Sequence, residues 1–275
     1  MTDLQPYFRA PRRLLSVCAT FPNEVMGVTL KAAAFVAAGI LFPAVAYAGD
    51  RGVGFELGLG ALYAPEYEGS DQYAVKPTGT ASLNQLSFGS LNFSRSDERL
   101  GFSVGPSFRY LTERNSTDFP ILAGIPTNEA ALELGLRAGY DWENYAVFGQ
   151  VRKGVTGHHG VAGELGADVK FALSDRTKLS LGPRIAFGDD TYMSYAFDVP
   201  ASATSLAAFD AGGGIKSLGA EIRVRHALND RTSVVGLVAW DRFIGDAAQS
   251  PIVQSGDQNQ FRAGIMLVRK FNLRF

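Results

Sequence analysis

Apolar and polar residues alternate in segment after segment over most of this chain. In the C-terminal segment, Phe271, Leu273 and Phe275 lie on one side of the alternation, and Lys270 and Asn272 lie on the other. A period of two is that of a β-strand with one apolar face and one polar face. The pattern therefore predicts an all-β chain built from such strands.

Six further segments repeat this alternation. They cover residues 53–63, 100–110, 132–140, 161–171, 178–187 and 218–225. A soluble β-sandwich also alternates, but a closing strand that ends in an aromatic residue resembles the C-terminal signal of bacterial outer-membrane barrels. The sequence therefore predicts a transmembrane, antiparallel, up-and-down β-barrel, with its apolar face toward lipid and its polar face toward a lumen. Phe275 would present the closing strand to the barrel-assembly machinery.

The spacing of the turns predicts the number of strands. Short polar turns at residues 96–98, 141–144, 174–176 and 229–231 alternate with long connections at 64–72, 112–130, 156–160, 200–213 and 241–259. Outer-membrane barrels have short periplasmic turns and longer outer loops. Taking residues 73–95 and 177–198 as one long strand each gives about ten strands. Splitting both gives twelve, the alternative, but it would place the long 112–130 loop on the periplasmic side.

The alternation slips once inside the first of these two long strands. Phe88 gives way to Leu91 across Gly89 and Ser90. An extra residue in one strand of a pair produces such a slip. The sequence predicts a β-bulge at this position.

An export signal precedes the barrel. Lys31, the apolar run 32–45 and the triplet Ala46-Tyr47-Ala48 provide the basic flank, apolar core and cleavage site of a secretory signal peptide cut after Ala48. The predicted organisation is an N-terminal extension with signal peptide over residues 1–48, with Met26 as a candidate true start. A single barrel domain covers residues 49–275. The predicted location is the cell outer membrane.

Composition removes several function classes. A formal net charge of −1 provides no basic field for nucleic acid. Cys18 is the only cysteine and lies in the segment predicted to be removed, which excludes disulfides and cysteine-based catalysis from the barrel. The sequence has no H-E-x-x-H motif and no P-loop. We expect no enzymatic activity, no cofactor and no metal.

The strongest candidate for acid–base or metal chemistry is the pair His158-His159 in the 156–160 loop. Outer-membrane proteases and phospholipases place similar groups at the outer rim, and His158 could stand there near Asp118 or Ser116. Adjacent residues project differently, however, and no third ligand lies at a diagnostic spacing. The pattern favours a polar loop without chemistry.

The predicted lumen face carries charges of both signs. In chain order they are Glu56, Arg109, Glu133, Arg137, Glu164, Asp168, Lys170, Arg184, Glu221, Arg223, Arg225, Arg262 and Lys270. The interior of a ten-stranded barrel is narrow, so opposite charges are expected to pair into a polar plug, because unpaired buried charge is costly. A ring of one sign would have indicated a selective channel. If the protein is a channel, these charges are its site.

Aromatic residues lie near the predicted strand ends, where interfacial girdles form in membrane proteins. They are Tyr63, Tyr67, Tyr73, Tyr110, Tyr140, Trp142, Tyr145, Trp240 and Phe275. A sugar-binding stack would need them on one loop surface, so the distribution favours girdles.

Two loop segments carry a family resemblance. Tyr67, Glu68, Gly69, Ser70 and Asp71 follow the Gly-rich first strand and resemble a segment of the MipA/OmpV family, as do Ser250 and Pro251 in the last long loop. The resemblance covers residues 49–275 and implies an outer-membrane barrel that is not an enzyme. The family's namesake is a scaffold that links a murein-degrading lytic transglycosylase to a bifunctional penicillin-binding protein. The resemblance therefore implies these two partners, within outer-membrane lipid and lipopolysaccharide.

Four functions compete at this point. The leading hypothesis is a scaffold whose periplasmic turns dock murein enzymes, although short turns offer little of the roughly 800 Å² per partner that stable interfaces use. The second is a small-solute porin-like channel. The third is a surface adhesin or receptor acting through loops 200–213 and 241–259. An outer-membrane hydrolase or acyltransferase is the least favoured.

Overall fold

The computed structural model describes residues 52–88, 91–94 and 100–274 of the chain. The extension and signal peptide predicted over residues 1–48, the turn predicted at 96–98 and the terminal Phe275 lie outside the described residues. In the described part, none of the helices has both the length and the apolar character needed to cross a membrane.

The described residues form eleven antiparallel strands in one sheet. The strands are β1 (Gly52–Pro65), β2 (Tyr73–Phe88), β3 (Leu91–Ser94), β4 (Gly101–Leu111), β5 (Ala131–Asp141), β6 (Tyr145–Gly154), β7 (Val161–Ser174), β8 (Thr177–Gly188), β9 (Gly214–Ala227), β10 (Thr232–Phe243) and β11 (Asn259–Arg274). Ten of them form the wall, because each pairs with its sequence neighbour and β1 also pairs with β11. β3 is a short addition to the end of β2.

The barrel is nearly closed, and β2 and β4 face each other across the last seam. No hydrogen-bonded ladder joins these two strands within the described residues. Their backbones still approach closely: a Cβ placed on Gly105 would lie 3.4 Å from the Cα of Ser82. The prediction of a ten-stranded antiparallel barrel is confirmed.

Two of the predicted strand assignments are wrong. Residues 73–95 do not form one bulged strand, because Phe88 pairs with Leu91 and the chain reverses there to form β3. Gly89 and Ser90 themselves lie outside the described residues. Residues 177–198 are also not one strand, since β8 ends at Gly188 and the helix α1 (Asp190–Phe197) follows. The count of ten survives because neither change adds a wall strand.

The side chains are arranged inside out relative to a soluble protein. Leu59 and Leu136 on the outer surface are 68% and 65% exposed, whereas Glu56 and Glu133 on the lumen face are 4% and 0% exposed. The period-two pattern produces this arrangement, because successive residues of a strand point to opposite faces. Apolar residues outside and charged residues inside suit a wall surrounded by lipid.

The connections divide between the two ends of the barrel. Gly52 pairs with Arg274 at one end, called here the inner end, where β5–β6, β7–β8 and β9–β10 are joined by short turns. The opposite end, called the outer end, carries the long loops at residues 66–72, 112–130, 155–160, 189–213 and 244–258. This division follows the alternation of short turns and long loops in the sequence.

Four of the outer loops pack together into a cap, defined here as residues 66–72, 112–130, 189–213 and 244–258. The cap contains α1, a 3₁₀ turn (Pro120–Leu122) and two short helices, α2 (Gly245–Gln249) and α3 (Pro251–Ser255). One apolar cluster includes Tyr192, Met193, Phe197, Ala247 and Val253, and a second includes Phe119, Leu122, Ile125, Val199 and Ile252. The cap therefore has a hydrophobic core of its own at the outer end of the barrel.

Candidate functional site: the lumen beneath the cap

The outer half of the lumen is organised around Glu133, whose side chain is fully buried. Its carboxylate accepts hydrogen bonds from Arg109 Nε at 2.9 Å, Arg109 Nη2 at 2.7 Å and Arg152 Nε at 3.1 Å. Arg109 lies directly opposite Glu133 in the β4–β5 register, and Arg152 comes from β6 on the other side. A buried carboxylate is stable only with such partners, so this cluster fixes three neighbouring strands together.

His158 completes the shell of Glu133 and is not part of a polar loop without contacts. Its Nε2 lies 3.2 Å from Glu133 Oε1, and its Nδ1 accepts a hydrogen bond from the Gly160 amide at 3.2 Å. An accepting Nδ1 places the ring proton on Nε2, which therefore donates to the carboxylate. The ring also packs against Tyr192 and Tyr195. This buried position differs from the exposed rim site that a pairing with Asp118 or Ser116 would need.

Tyr192 of α1 occupies the centre of the lumen. Its hydroxyl accepts hydrogen bonds from Arg109 Nη2 at 2.9 Å and Lys216 Nζ at 3.3 Å. Arg109 is on β4 and Lys216 is on β9, which are five positions apart around a wall of ten strands. The hydroxyl is therefore held between opposite walls. Burial raises the pKa of Tyr192 well above its ordinary value, so the hydroxyl stays neutral.

The sequence around Asp189 explains why a helix enters the lumen at this point. The Asp189 side chain accepts a hydrogen bond from the Tyr192 amide at 2.8 Å and so caps the N-terminus of α1. Asp190 in the first turn also accepts a hydrogen bond from the Gly213 amide at 2.6 Å. Asp189 and Asp190 follow the end of β8, and their hydrogen bonds fix the position of α1 so that Tyr192 points into the lumen.

Glu68 ties the first loop to the same centre. Its carboxylate forms ion pairs with Lys216 and, at 3.5 Å, with Arg109. Burial alone would raise the pKa of Glu68, but the charges of Lys216 and Arg109 outweigh burial and hold this pKa below its ordinary value. Glu68 is therefore ionised and joins β4, β9 and the cap.

A cavity of about 230 Å³ lies at the junction of the cap and the network. Its lining includes Tyr67, Lys76, Arg114, Tyr195, Phe243 and Arg262. Arg114 is 5% exposed and donates to the carbonyls of Ala196 at 2.7 Å and Tyr195 at 3.4 Å. Burial lowers the pKa of Arg114 from its ordinary value. Lys76 likewise donates to the carbonyls of Pro65 at 2.8 Å and Glu66 at 2.7 Å, so Arg114 and Lys76 hold the backbone of the outer loops in place.

The residues of the first family motif, 67–71, contact neighbouring loops of the cap. Gly69 has a φ of 93°, and a Cβ there would lie 2.8 Å from Val253 Cγ2. Tyr67 packs edge-on against Phe119, and Ser70 is fully buried. Asp71 is exposed. The motif thus brings the first loop against the second and the last.

The second motif segment begins α3. Ser250 caps this helix by accepting from the Ile252 amide at 3.3 Å, and it donates to the Phe197 carbonyl at 2.6 Å. Pro251 occupies the first helical position, where its missing N–H costs nothing. The Ser-Pro pair therefore both starts a helix and anchors it to α1.

The structure places most of the remaining predicted lumen charges in pairs. Arg184 contacts Asp168 at 2.8 Å and Glu221 at 3.2 Å, and Arg223 contacts Glu221 at 2.7 Å. The other close polar contacts are Arg225–Glu56 at 3.1 Å, Arg262–Asp241 at 2.6 Å, Lys170–Asp141 at 3.4 Å and Gln150–Glu164 at 3.2 Å. Arg137 and Lys270 are different, because no carboxylate of the described residues contacts either of them. The Arg137 guanidinium lies 3.3 Å from the Phe148 ring centre.

Most predicted girdle aromatics face outward near strand ends, where Tyr63, Tyr110, Tyr145 and Trp142 are about half exposed. Tyr67 is the exception, since it packs inside the cap. Sequence reasoning also missed the inward roles of Arg152, Tyr192 and Lys216. Arg152 was detectable, because it alternates with exposed Val151 and Lys153 on β6.

Two kinds of chemical site can be compared directly with the described residues, a metal site and a serine nucleophile motif. No group of three or more His, Cys, Asp or Glu side chains there could hold a metal ion. The sequence Gly101-Phe102-Ser103-Val104-Gly105 matches G-x-S-x-G, but it lies inside β4, and Ser103 donates to the Gly139 carbonyl. A nucleophile elbow requires a strand-to-helix turn, which is absent at this position.

Ten antiparallel wall strands with a lipid-suited exterior and a charged interior define an outer-membrane β-barrel. The family model for MltA-interacting protein MipA matches residues 57–271. The chain belongs to this family. No curated protein matches the chain closely enough to count as a relative.

Two solved structures illustrate the likeness in fold. An outer-membrane channel from Pseudomonas putida F1 is 12% identical, with a TM-score of 0.38 and coverage of 84% of this chain and 100% of that chain. Neisserial surface protein A is also 12% identical, with a TM-score of 0.28 and coverage of 80% and 97%. At these values nothing about function is transferred from either protein.

Proposed function

We propose that this protein is a closed outer-membrane barrel that serves as an interaction protein for murein-remodelling enzymes and has no enzymatic activity of its own. The family description, MltA-interacting protein, supports a protein partner, and the family resemblance of the loop segments implies that this partner is a murein-degrading lytic transglycosylase. A penicillin-binding protein would be the second enzyme brought to the same place. The role is to hold both against the outer membrane.

The observation that carries this proposal is the filled outer half of the lumen. Tyr192 is held between Arg109 and Lys216 on opposite walls, and the apolar core of the cap lies over it. Moving solute through this region would separate the ion pairs of the buried Glu133 and the partly buried Glu68, and it would expose the side chains around Tyr192. Such buried pairs are costly to separate, which favours a barrel that supports contacts over one that conducts.

The proposal includes the route to the membrane. The signal peptide is cut after Ala48, and the closing strand that ends in Phe275 is presented to the barrel-assembly machinery. The mature barrel then lies among outer-membrane lipid and lipopolysaccharide, with its short turns in the periplasm. Cell fractionation and N-terminal sequencing of the mature chain test this part, and a mature N-terminus other than Gly49 would contradict the cleavage site.

Capture of a purified lytic transglycosylase by the barrel in nanodiscs tests the scaffold role. An unrelated outer-membrane barrel in the same nanodiscs serves as the control. We expect saturable binding to this barrel alone. Equal binding of the transglycosylase to both barrels, or binding to neither, would contradict the scaffold role.

A small-solute channel is the second candidate, and the 230 Å³ cavity next to the lumen charges is the observation that favours it. The cavity would then be a transient binding site for the solute, on a path through the lumen that opens when the cap moves. Single-channel recording in a planar bilayer separates the two functions. Discrete openings of the unmodified barrel would support the channel, and silence from a folded, heat-modifiable barrel would exclude it.

A further inference from the structure

The inner half of the lumen carries more positive than negative charge. Among the described residues that face it or its boundary with the outer half, seven are cationic and five are acidic. The cations are Arg137, Lys170, Lys178, Arg184, Arg223, Arg225 and Lys270, and the acids are Glu56, Asp141, Glu164, Asp168 and Glu221. Four of the five acids contact at least one of these cations, and Glu164 accepts a hydrogen bond from Gln150.

Three cations form no ion pair with an acid among the described residues: Arg137, Lys178 and Lys270, although Lys270 lies opposite Glu56 in the β1–β11 register. Lys178 lies directly opposite Arg225 in the β8–β9 register, and both face the lumen. Like charges directly opposite each other on one face destabilise a sheet. Arg137 and Arg184 lie over the same Phe148 ring, at 3.3 and 5.0 Å from its centre. Cations gathered in this way produce an electrostatic field that attracts a negative group.

Water reaches these residues from the inner end. The side chain of Arg223 is 40% exposed and that of Lys170 is 24% exposed, whereas that of Arg184, deeper in the lumen, is 5% exposed. Exposure near the inner end is uneven, since the side chain of Arg225 is 22% exposed and that of Glu56 is 6% exposed. The cap fills the other end. The inner mouth, defined here by Lys178, Arg223, Arg225 and Lys270, is therefore a basic recess that faces the periplasm.

We infer that the inner mouth receives an acidic, extended segment of a periplasmic protein partner. This inference rests on the proposed interaction function and names the surface and the charge of its partner. A lipid headgroup fits less well, because Lys178 and Lys270 point into the lumen and headgroups surround the outside of the wall. Insertion of a segment also adds contact area that the short inner turns cannot supply.

An oligoglutamate peptide carrying a fluorophore tests the inner mouth directly. The barrel is extracted from membranes, placed in nanodiscs of zwitterionic lipid, and titrated with the peptide by fluorescence anisotropy. An oligolysine peptide is the charge control. We expect the oligoglutamate peptide to bind, and to bind more weakly as salt rises, because mobile ions screen exposed charges.

The decisive variant is Lys178→Gln combined with Lys270→Gln. Its matched control is Lys153→Gln combined with Arg242→Gln, which removes the same charge from exposed positions near the outer end. We expect about tenfold weaker peptide binding for the inner variant, from two partly exposed ion pairs, and no change for the control. Both variants must stay heat-modifiable, which shows that the barrels are folded.

Several results would overturn the inference. They are absence of peptide binding to the unmodified barrel, equal binding of oligolysine, and equal binding by the inner variant. A thermal stabilisation by anionic lipid that depends on Lys178 and Lys270, without peptide binding, would assign the cations to headgroups instead.

Capture of the lytic transglycosylase separates this inference from the proposed function. Equal capture by the unmodified barrel and the inner variant would keep the scaffold role and remove the inner mouth as its docking site. Peptide binding that depends on Lys178 and Lys270, without transglycosylase capture, would keep the inner mouth and remove that enzyme as the partner.

Discussion

The outer and inner halves of the lumen are built from the same charged residue types, and they use them differently. In the outer half, Glu133 is fully buried and contacts Arg109, Arg152 and His158. In the inner half, the ion pair of Glu221 with Arg223 involves a side chain that is 40% exposed. The apolar core of the cap shuts off the outer half, whereas the inner half contains only a smaller apolar cluster of Val235, Met266 and Val268 among the described residues.

The physical reason for the difference is access to water. Removing a charged side chain from water costs roughly several kcal/mol even after relaxation, so a buried charge is stable only when it contacts an opposite charge or a hydrogen-bond partner. Every cation around Tyr192 therefore donates to a fixed acceptor, and the region becomes rigid. Water near the inner mouth solvates Lys178 and Lys270, so they remain without acidic partners at little cost. The outer half is consequently a seal, and the inner half is a surface for contacts.

Breaking the seal is expected to have the largest effect. Tyr192→Ala removes a fully buried ring from the lumen axis, at a cost of about 3–5 kcal/mol, and opens space between β4 and β9. We expect discrete conductance in a planar bilayer where the unmodified barrel is silent. Tyr192→Phe keeps the ring and is the control, expected to stay silent. A silent Tyr192→Ala barrel that is folded would show that the seal lies elsewhere.

Removing one member of an ion pair from each half compares the energetics of the two halves. Glu133→Gln leaves Arg109 and Arg152 without their buried anion, so we expect a loss of about 3–5 kcal/mol in the free energy of unfolding. Arg223→Gln removes a half-exposed partner while Glu221 keeps Arg184, so we expect less than about 1 kcal/mol. Urea unfolding in lipid vesicles, followed by the fluorescence of Trp142 and Trp240, measures both. Equal losses would contradict the division into a buried and a solvated half.

The fold was largely predictable because its dominant signal is local. Period-two alternation marks each wall strand, and short turns such as 174–176 mark the inner end. The incorrect strand predictions lie where the chain leaves the wall and forms a helix or a short added strand. Nothing in the alternation distinguishes the helix of residues 190–197 from a continued strand, and the Asp189 cap that starts it is a signal of only one residue.

The site was predictable only where it lies on regular strands. Glu133 and Arg184 follow the alternation, so sequence alone places them in the lumen. Lys216 does not, because the β8–β9 register shifts between Ala186 and Phe187 and leaves Lys216 and Ser217 both buried. A bulge breaks the period on which the assignment of faces depends. Tyr192 comes from a loop helix, so its position at the lumen axis depends on tertiary packing.

Two glycines with the same backbone conformation sharpen the comparison between the ends. Gly69 in the cap and Gly101 at the inner end both have a φ of 93°, so alanine adds about 1–2 kcal/mol of backbone strain at either position. A Cβ on Gly69 would also meet Val253 Cγ2 at 2.8 Å, whereas a Cβ on Gly101 has nothing within 4 Å. We expect faster protease cleavage of the outer loops only for Gly69→Ala. Equal cleavage in both variants would mean that the cap is not tightly packed there.

The smallest expected effect is a loosening of the cap in acid. The pKa of Glu68 is lowered in the folded protein from its ordinary value of 4.5, because Lys216 and Arg109 outweigh its burial. The folded state therefore binds a proton at Glu68 less readily than the unfolded state does. The stabilisation by ionised Glu68 is complete above pH 4.5 and is lost as the pH falls through the lowered value.

Hydrogen exchange of the cap amides measures this effect. We expect exchange in the cap, corrected for the intrinsic rate at each pH, to rise in acid for the unmodified barrel. Glu68→Gln has no charge to lose at this position, so its cap should exchange faster at neutral pH and show a weaker dependence on acid. Identical pH profiles for the two barrels would remove Glu68 from the set of contacts that hold the cap closed. The inner-end amides of β9 serve as the internal reference, because Glu68 contacts β9 only at its outer end, through Lys216.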